Sequence, residues 1–372
     1  MNSGDNLYVW QNSHWPNWQY KAEKLMPMLS QAHQAMGRLM GRLHDHGMSS
    51  QSQTTLVALT EDVLKSSEIE GEHLNADTVR SSIARRLGVD IGALMPADRH
   101  VEGVVDMILD ATSFHARPLT AERLKAWHAA LFPTGRSGLT PIRAGEWRDD
   151  ADGPMQVVSG PMHRRRVHYQ APPATVLPAE MSEFLNWYEH FQEADPLIKA
   201  GLAHVWFVTI HPFDDGNGRI ARAIGDMALA RADQSPQRYY SLSAQIQKER
   251  KDYYTLLEKT QKGNLDATEW LSWFLACLLR ALHKADQTLT DILAQANFWH
   301  RWAGTPFNER QIKVLNRMLD GFDGKLSNKK WAAICKCSSD TALRDINHLL
   351  ERGVLRRTET AGRSTSYELR QD

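Results

Sequence analysis

Residues His211-Pro-Phe-Asp-Asp-Gly-Asn-Gly-Arg-Ile-Ala-Arg222 restrict this chain more than any other stretch. They follow a helical apolar segment, Leu197 to Ile210, that Pro212 stops, and they open a second helix near Arg219. Two helices must therefore turn about one acidic, glycine-rich loop, with an imidazole at the turn. Gly216 and Gly218 allow backbone conformations that a side chain would forbid. Successive N–H groups can then point into one concavity, to which the next helix adds the positive end of its dipole. The pattern predicts an anion site. Arg219 and Arg222 stand three residues apart on the first turn, which brings both guanidinium groups to the same phosphate chain. Asp215 supplies the hard oxygen that Mg²⁺ prefers. A hairpin turn would need alternating strands on both sides, and a calcium loop would need oxygen ligands at every second position with a distal Glu; neither context is present.

The rest of the chain supports a large, mainly α-helical protein. Its 372 residues suffice for two or three domains, and an apolar share of 42% is ordinary for a globular chain. Basic and acidic residues balance at 44 each, so net charge points to no partner. Cys277, Cys335 and Cys337 are too few and too badly spaced for a disulfide framework, and Cys335-Lys-Cys337 lacks the second pair of a zinc site. Cys335 and Cys337 read as small core residues, and the protein as cytoplasmic. The longest apolar run, Trp270 to Leu279, is too short to span a bilayer.

The first residues hold an aromatic cluster, Tyr8, Trp10, Trp15 and Trp18, that reads as the cap of a core and offers a face on which a second copy could form a homodimer. A helix carrying Leu25, Leu29, Met36 and Leu39 follows. In the next helix Leu56, Leu59, Val63, Ser66 and Glu70 share one face, and Gly71 ends the run. A carboxylate at the end of a buried stripe is expected to face the interior and to need a cation, for which Arg222 is the candidate. An exposed Glu at an ordinary helix end is the competing reading. Asn75 and Thr120 are N-caps, with Gly88 ending the helix after Asn75. Met155 to Gly160 and Arg166 to Tyr169 alternate as a hairpin, with Arg164 to Arg166 exposed beside it. Helices resume from Met181 to Phe191, to His211, and from Arg219 to Ala232. His204 reads as a core histidine rather than a second base. Tyr253 and Tyr254 suit either aromatic stacking on a base or ordinary helix packing.

The string from His211 to Arg222 is similar to the signature of the Fic family, with His211, Asp215, Gly216, Asn217, Gly218, Arg219 and Arg222 in register. Ser66-Ser-Glu-Ile-Glu70-Gly71 resembles that family's inhibitory motif, placed here before the core. The resemblance implies a Fic-type helical core in residues 96–304, preceded by a helical region, 1–95, with the inhibitory helix. It also implies transfer of AMP from ATP to a hydroxyl of a target protein docked on the β-hairpin flap by strand addition. In that scheme His211 is the general base and Asp215 holds Mg²⁺. Gly216, Asn217, Gly218, Arg219, Arg222, Tyr253, Tyr254 and the flap residues Val157, Val158, Ser159 and Gly160 contact the nucleotide. Ser66, Glu70 and Gly71 form the inhibitory element, with Glu70 reaching into the nucleotide site. Gly218, where relatives that phosphorylate their targets commonly carry Lys, favours AMP transfer. Removal of AMP by the same site stays open.

Past Thr305-Pro306 the pattern changes to three helices, Glu309 to Leu319, Asn328 to Cys335 and Ser339 to Leu350. Two strands follow, Val354 to Thr358 and Ser364 to Leu369, around the turn from Thr360 to Arg363. Residues 305–372 resemble a winged helix-turn-helix domain, with the recognition helix starting at Ser339. They hold 13 Lys or Arg against 9 Asp or Glu, an excess that suits DNA without demanding it. Binding of DNA with ATP as a sensed ligand, or binding of protein, both remain open for this module.

Overall fold

The computed structural model describes residues 8–45, 47–160, 164–319, 321, 324–358 and 365–370. It divides into two compact units, Met1–Asp286 and Gln287–Asp372.

In the first unit the core is built on two helices, α7 (Pro196–Ile210) and α8 (Asn217–Asp233), which pack on each other. Every residue of α7 except Pro196 and Lys199 is buried. Such a helix is apolar all round because it is enclosed all round. The others wrap it: α6 (Leu177–His190) lies on α7, while α4 (Arg99–Ser113) and α5 (Ala121–Leu131) pack on α8. Helix α2 (Gly47–Ile69) follows α1 (Ala22–Asp45) and packs on α3 (Ala76–Leu87), α8 and α9 (Leu242–Lys248). Asn75 caps α3 through Asp77 N and Thr78 N, and Thr120 caps α5 through Arg123 N. Helix α10 (Arg250–Gln261) precedes α11 (Thr268–Arg301), one continuous helix of 34 residues. Gly201 lets α11 come close to α7: a Cβ there would lie 2.8 Å from Leu271, and Trp270 Nε1 donates to Gly201 O at 2.8 Å.

The sequence missed one short ribbon, Arg136–Ser137 with Thr140–Pro141 (β1 and β2). The expected hairpin is β3 (Gln156–Ser159) antiparallel to β4 (Arg166–Gln170), with a bulge between Val157 and Val158. The N-terminal aromatics close over its base. Tyr8 meets Tyr169 edge-on at 5.2 Å, Trp10 Nε1 donates to Gln170 O, and Trp15 packs on Trp206. That cluster is engaged within the chain.

In the second unit α12 (Glu309–Leu319), α13 (Asn328–Cys335) and α14 (Ser339–Glu351) enclose Val314, Leu315, Trp331, Ile346 and Leu349. Strand β5 (Leu355–Arg357) pairs antiparallel with β6 (Tyr367–Leu369). The expected turn at 360–363, and Ser364 after it, lie outside the described residues. Cys335 and Cys337, expected as small core residues, pack half-buried against this core, and Cys277 is buried. Among the described residues no helix is long and apolar enough to cross a membrane.

Candidate active site

The site forms where α7 ends and α8 begins. Helix α7 stops at His211, whose backbone is left-handed (φ 53°, ψ 58°), a conformation rare for a residue with a side chain. The surroundings hold it there. Arg148, its side chain fully buried, donates Nε to His211 O at 2.7 Å and Nη2 to Pro172 O at 2.6 Å, and its backbone N donates to Pro212 O. The last carbonyls of α7 are also satisfied: Tyr169 OH donates to Thr209 O, and Gln261 Nε2 to Val208 O. The half-buried imidazole sets Nδ1 3.2 Å from that same Val208 carbonyl. A carbonyl only accepts, so Nδ1 carries the proton and Nε2 keeps its lone pair. Burial lowers the His211 pKa to about 4, leaving the ring neutral at physiological pH.

Helix α8 begins at Asn217, two residues earlier than the sequence suggested, because Gly216 takes φ +74° and turns the chain into the helix. Gly218 already lies within the first turn and needs no special φ. Its lack of a side chain serves space instead: a Cβ would overlap Glu70 Oε1 and come within 3.2 Å of Arg222 Nη1. No side chain caps this helix. Asn217 is buried and spent on Phe213, accepting its N–H at 3.0 Å and donating to its C=O at 2.8 Å. It offers a ligand its backbone amide only. His128, from α5, stacks on Phe213 at 4.1 Å and accepts Gly145 N–H on Nδ1. Its Nε2 therefore donates to Asp215 O at 3.2 Å, and burial holds this ring neutral, with a pKa of about 4.

Both arginines are buried and both are taken. Arg222 donates Nε to Ser66 Oγ and Nη2 to Ser66 O, each at 2.9 Å, and Nη2 also meets Glu70 Oε1 at 2.8 Å. Its Nη1 is buried without an acceptor. The expected Glu70–Arg222 pair thus forms, but Glu70 does not face the interior. Helix α2 ends at Ile69, so Glu70 leaves the buried face and stands exposed at the mouth. Tyr254 OH lies 3.3 Å from its other oxygen. Tyr253 packs inside, bonded to His204 Nε2 at 2.9 Å and beside Arg222, while Tyr254 is the member of the pair that reaches Glu70. His204 is the core histidine expected, driven to a pKa of about 3 by burial. Arg219 lies 5.0 Å over the Phe132 ring and donates Nη1 to Glu72 Oε2 at 2.7 Å.

On the flap Val157 is half-buried while Val158, Ser159 and Gly160 are exposed. Ser159 Oγ meets His168 Nε2 at 2.6 Å and His168 Nδ1 meets Glu258 Oε2 at 2.7 Å, tying the ribbon to α10. The ribbon has two strands, so one edge of β3 has no strand beside it among the described residues. Asp215 is exposed, with one oxygen on its neighbour Gly216 N at 2.6 Å and the other on Ser137 Oγ. Among the described residues no three His, Cys, Asp or Glu side chains converge as a metal cage. A lone carboxylate beside an anion site nevertheless fits a hard divalent cation that completes its shell with phosphate oxygens and water.

Residues 118–229, which span His128, His211 and both arginines, match the model of the Fic/DOC family. The chain carries a Fic domain. Residues 8–89 match a second family, described as a domain of unknown function (DUF4172), which takes in α1, α2 and Glu70. A uridine 5'-monophosphate transferase of Xanthomonas campestris is 32% identical over 122 residues, covering 31% of this chain and 21% of that protein. The protein adenylyltransferase Fic of Drosophila virilis is 27% identical over 203 residues, covering 53% and 37%. The chain thus spans well under half the length of these relatives. A Fic family protein from Desulfovibrio desulfuricans shares the fold at TM-score 0.52 and 20% identity, over 93% of this chain and 97% of that one. A Fic domain containing signaling protein from Bacteroides thetaiotaomicron does so at TM-score 0.52 and 19% identity, over 69% and 98%.

Proposed function

We propose that this Fic protein transfers AMP from ATP to a Ser, Thr or Tyr hydroxyl of a target protein, and that the structure is its restrained form. One observation carries this reading: a neutral histidine with a free Nε2 lone pair stands beside an uncapped helix N-terminus flanked by two buried arginines. The target hydroxyl gives its proton to His211 Nε2, its oxygen attacks the α-phosphorus, and pyrophosphate leaves. The Gly218 and Arg219 amides and the α8 dipole receive charge on the phosphoryl oxygens, Arg219 the β-phosphate and Arg222 the γ-phosphate. Mg²⁺ at Asp215 would offset the charge between neighbouring phosphates. An extended segment of the target adds to the open edge of β3, which brings its hydroxyl toward His211. Glu70, seated on Arg222 where the outer phosphate belongs, opposes the productive pose.

The test uses ATP labelled at its α-phosphate. Glu70→Gly should raise covalent labelling, of the protein itself or of a lysate target, and adding His211→Ala should lower it again by roughly 10²–10⁴-fold. No label with the relieved variant and Mg²⁺ would overturn the reading. The relative named as a uridine 5'-monophosphate transferase favours a second reading, transfer of UMP by the same residues. Label from UTP but not from ATP would decide for it.

A further inference from the structure

Arg219 is not free to receive a phosphate in this structure, and Glu70 is not what holds it. Its side chain is only 2% exposed, and Glu72 Oε2 accepts its Nη1 at 2.7 Å. Its Nε is buried without an acceptor, as is Nη1 of Arg222. A buried guanidinium without an anion is costly, so whatever leaves Arg219 must be replaced.

We propose that Glu72 is a second carboxylate standing in for a phosphate: it fills the inner seat, on Arg219, as Glu70 fills the outer seat, on Arg222. The proposal rests on the nucleotide reading above and adds that two acids, not one, must be exchanged for the triphosphate. The two carboxylates come from one short segment after α2, on either side of Gly71, whose φ of +86° turns the chain there. They meet two arginines that stand one turn apart at the start of α8. Glu72 is able to leave. Its side chain is 37% exposed, and the same oxygen already has a second partner that would stay with it, His100, whose Nε2 lies 3.3 Å away and whose Nδ1 faces Leu131 O at 3.2 Å. The hydrogen bond from His100, and after it the charge of Arg219, hold Glu72 below the usual carboxylate range, so it presents a full negative charge to the seat.

The two seats should be separable by nucleotide length, since a diphosphate fills only the inner one. Affinities for AMP, ADP and ATP are to be measured by calorimetry on the full chain, for the parent and for Glu72→Gln, Glu72→Asp and Glu70→Gln. Glu72→Gln is expected to tighten both ADP and ATP by on the order of ten-fold and to leave AMP unchanged. Glu72→Asp, with its carboxylate drawn back, should tighten them less. Glu70→Gln should tighten ATP alone. If Glu70→Gln tightens ATP while both Glu72 variants leave ADP unchanged or weaken it, Glu72 merely positions Arg219; this inference then falls and the nucleotide reading stands. Equal gains for all three nucleotides would reveal a general charge effect and also overturn it. If no variant binds any nucleotide, the inference falls together with the reading.

Discussion

His211 is fitted to be a base by what its other nitrogen does. The Val208 carbonyl fixes the Nδ1 proton, Arg148 fixes the backbone, and the lone pair on Nε2 is left over. Its low pKa means that the free protein needs no deprotonation step near neutral pH. Phosphates bound nearby would raise that pKa and make the ring a better proton acceptor when substrate is present. A ¹⁵N titration of the imidazole should give a midpoint of about 4 and an Nδ1–H tautomer above it; a midpoint near 6.5, or the opposite tautomer, would contradict the geometry. The same shift bears on stability. The unfolded chain binds a proton below about pH 6.5 that folded His211, His128 and His204 refuse until about pH 4 or 3. Stability from these groups is therefore complete above pH 6.5 and declines as pH falls, by at most about 1.4 kcal/mol per pH unit for each.

At the scale of elements the deciding feature is the seam between α2 and its neighbours. Asp62, Ser66 and Glu70 lie at four-residue steps, and each has a distant partner. Asp62 accepts Ser241 Oγ at 2.6 Å and Ser243 N at 3.2 Å, while Ser66 and Glu70 accept Arg222. Ser66→Ala would leave the buried Nε of Arg222 without an acceptor and should cost about 1–3 kcal/mol of stability. Chemical unfolding of the variant measures this, and a change within about 0.5 kcal/mol would mean that the seam does not depend on the hydroxyl. This seam was legible in the sequence because helical spacing carries the stripe to Ser66 and points on to Glu70, although the helix itself stops one residue short of it. The signature loop was legible because its residues are consecutive. Glu72, His128, Ser137 and Arg148 were not: they meet their partners across 147, 87, 78 and 63 residues, and no local period encodes such pairings. Gly218 was misread for a related reason. Its constraint is the carboxylate of Glu70 from the distant segment after α2, whereas sequence suggests only backbone freedom.

Taken as a whole, residues 1–286 join a stretch matching a family of unknown function to a Fic domain, and the candidate active site lies where the two meet. The first stretch contributes Ser66, Glu70 and Glu72; the second contributes His211, Asp215 and the two arginines. Three helices and a hairpin were readable in the second unit from period and turn residues, yet nothing in its own pattern chooses its partner. The central claim is that the start of α8 is the triphosphate seat and that an acid from α2's end now fills part of it. A crystal structure of Glu70→Gly with ATP and Mg²⁺ tests this most directly. The account predicts the terminal phosphates on the first amides of α8, between Arg219 and Arg222, with His211 Nε2 facing the α-phosphorus. Phosphates in solvent, or a nucleotide bound elsewhere while both arginines keep their present partners, would contradict it.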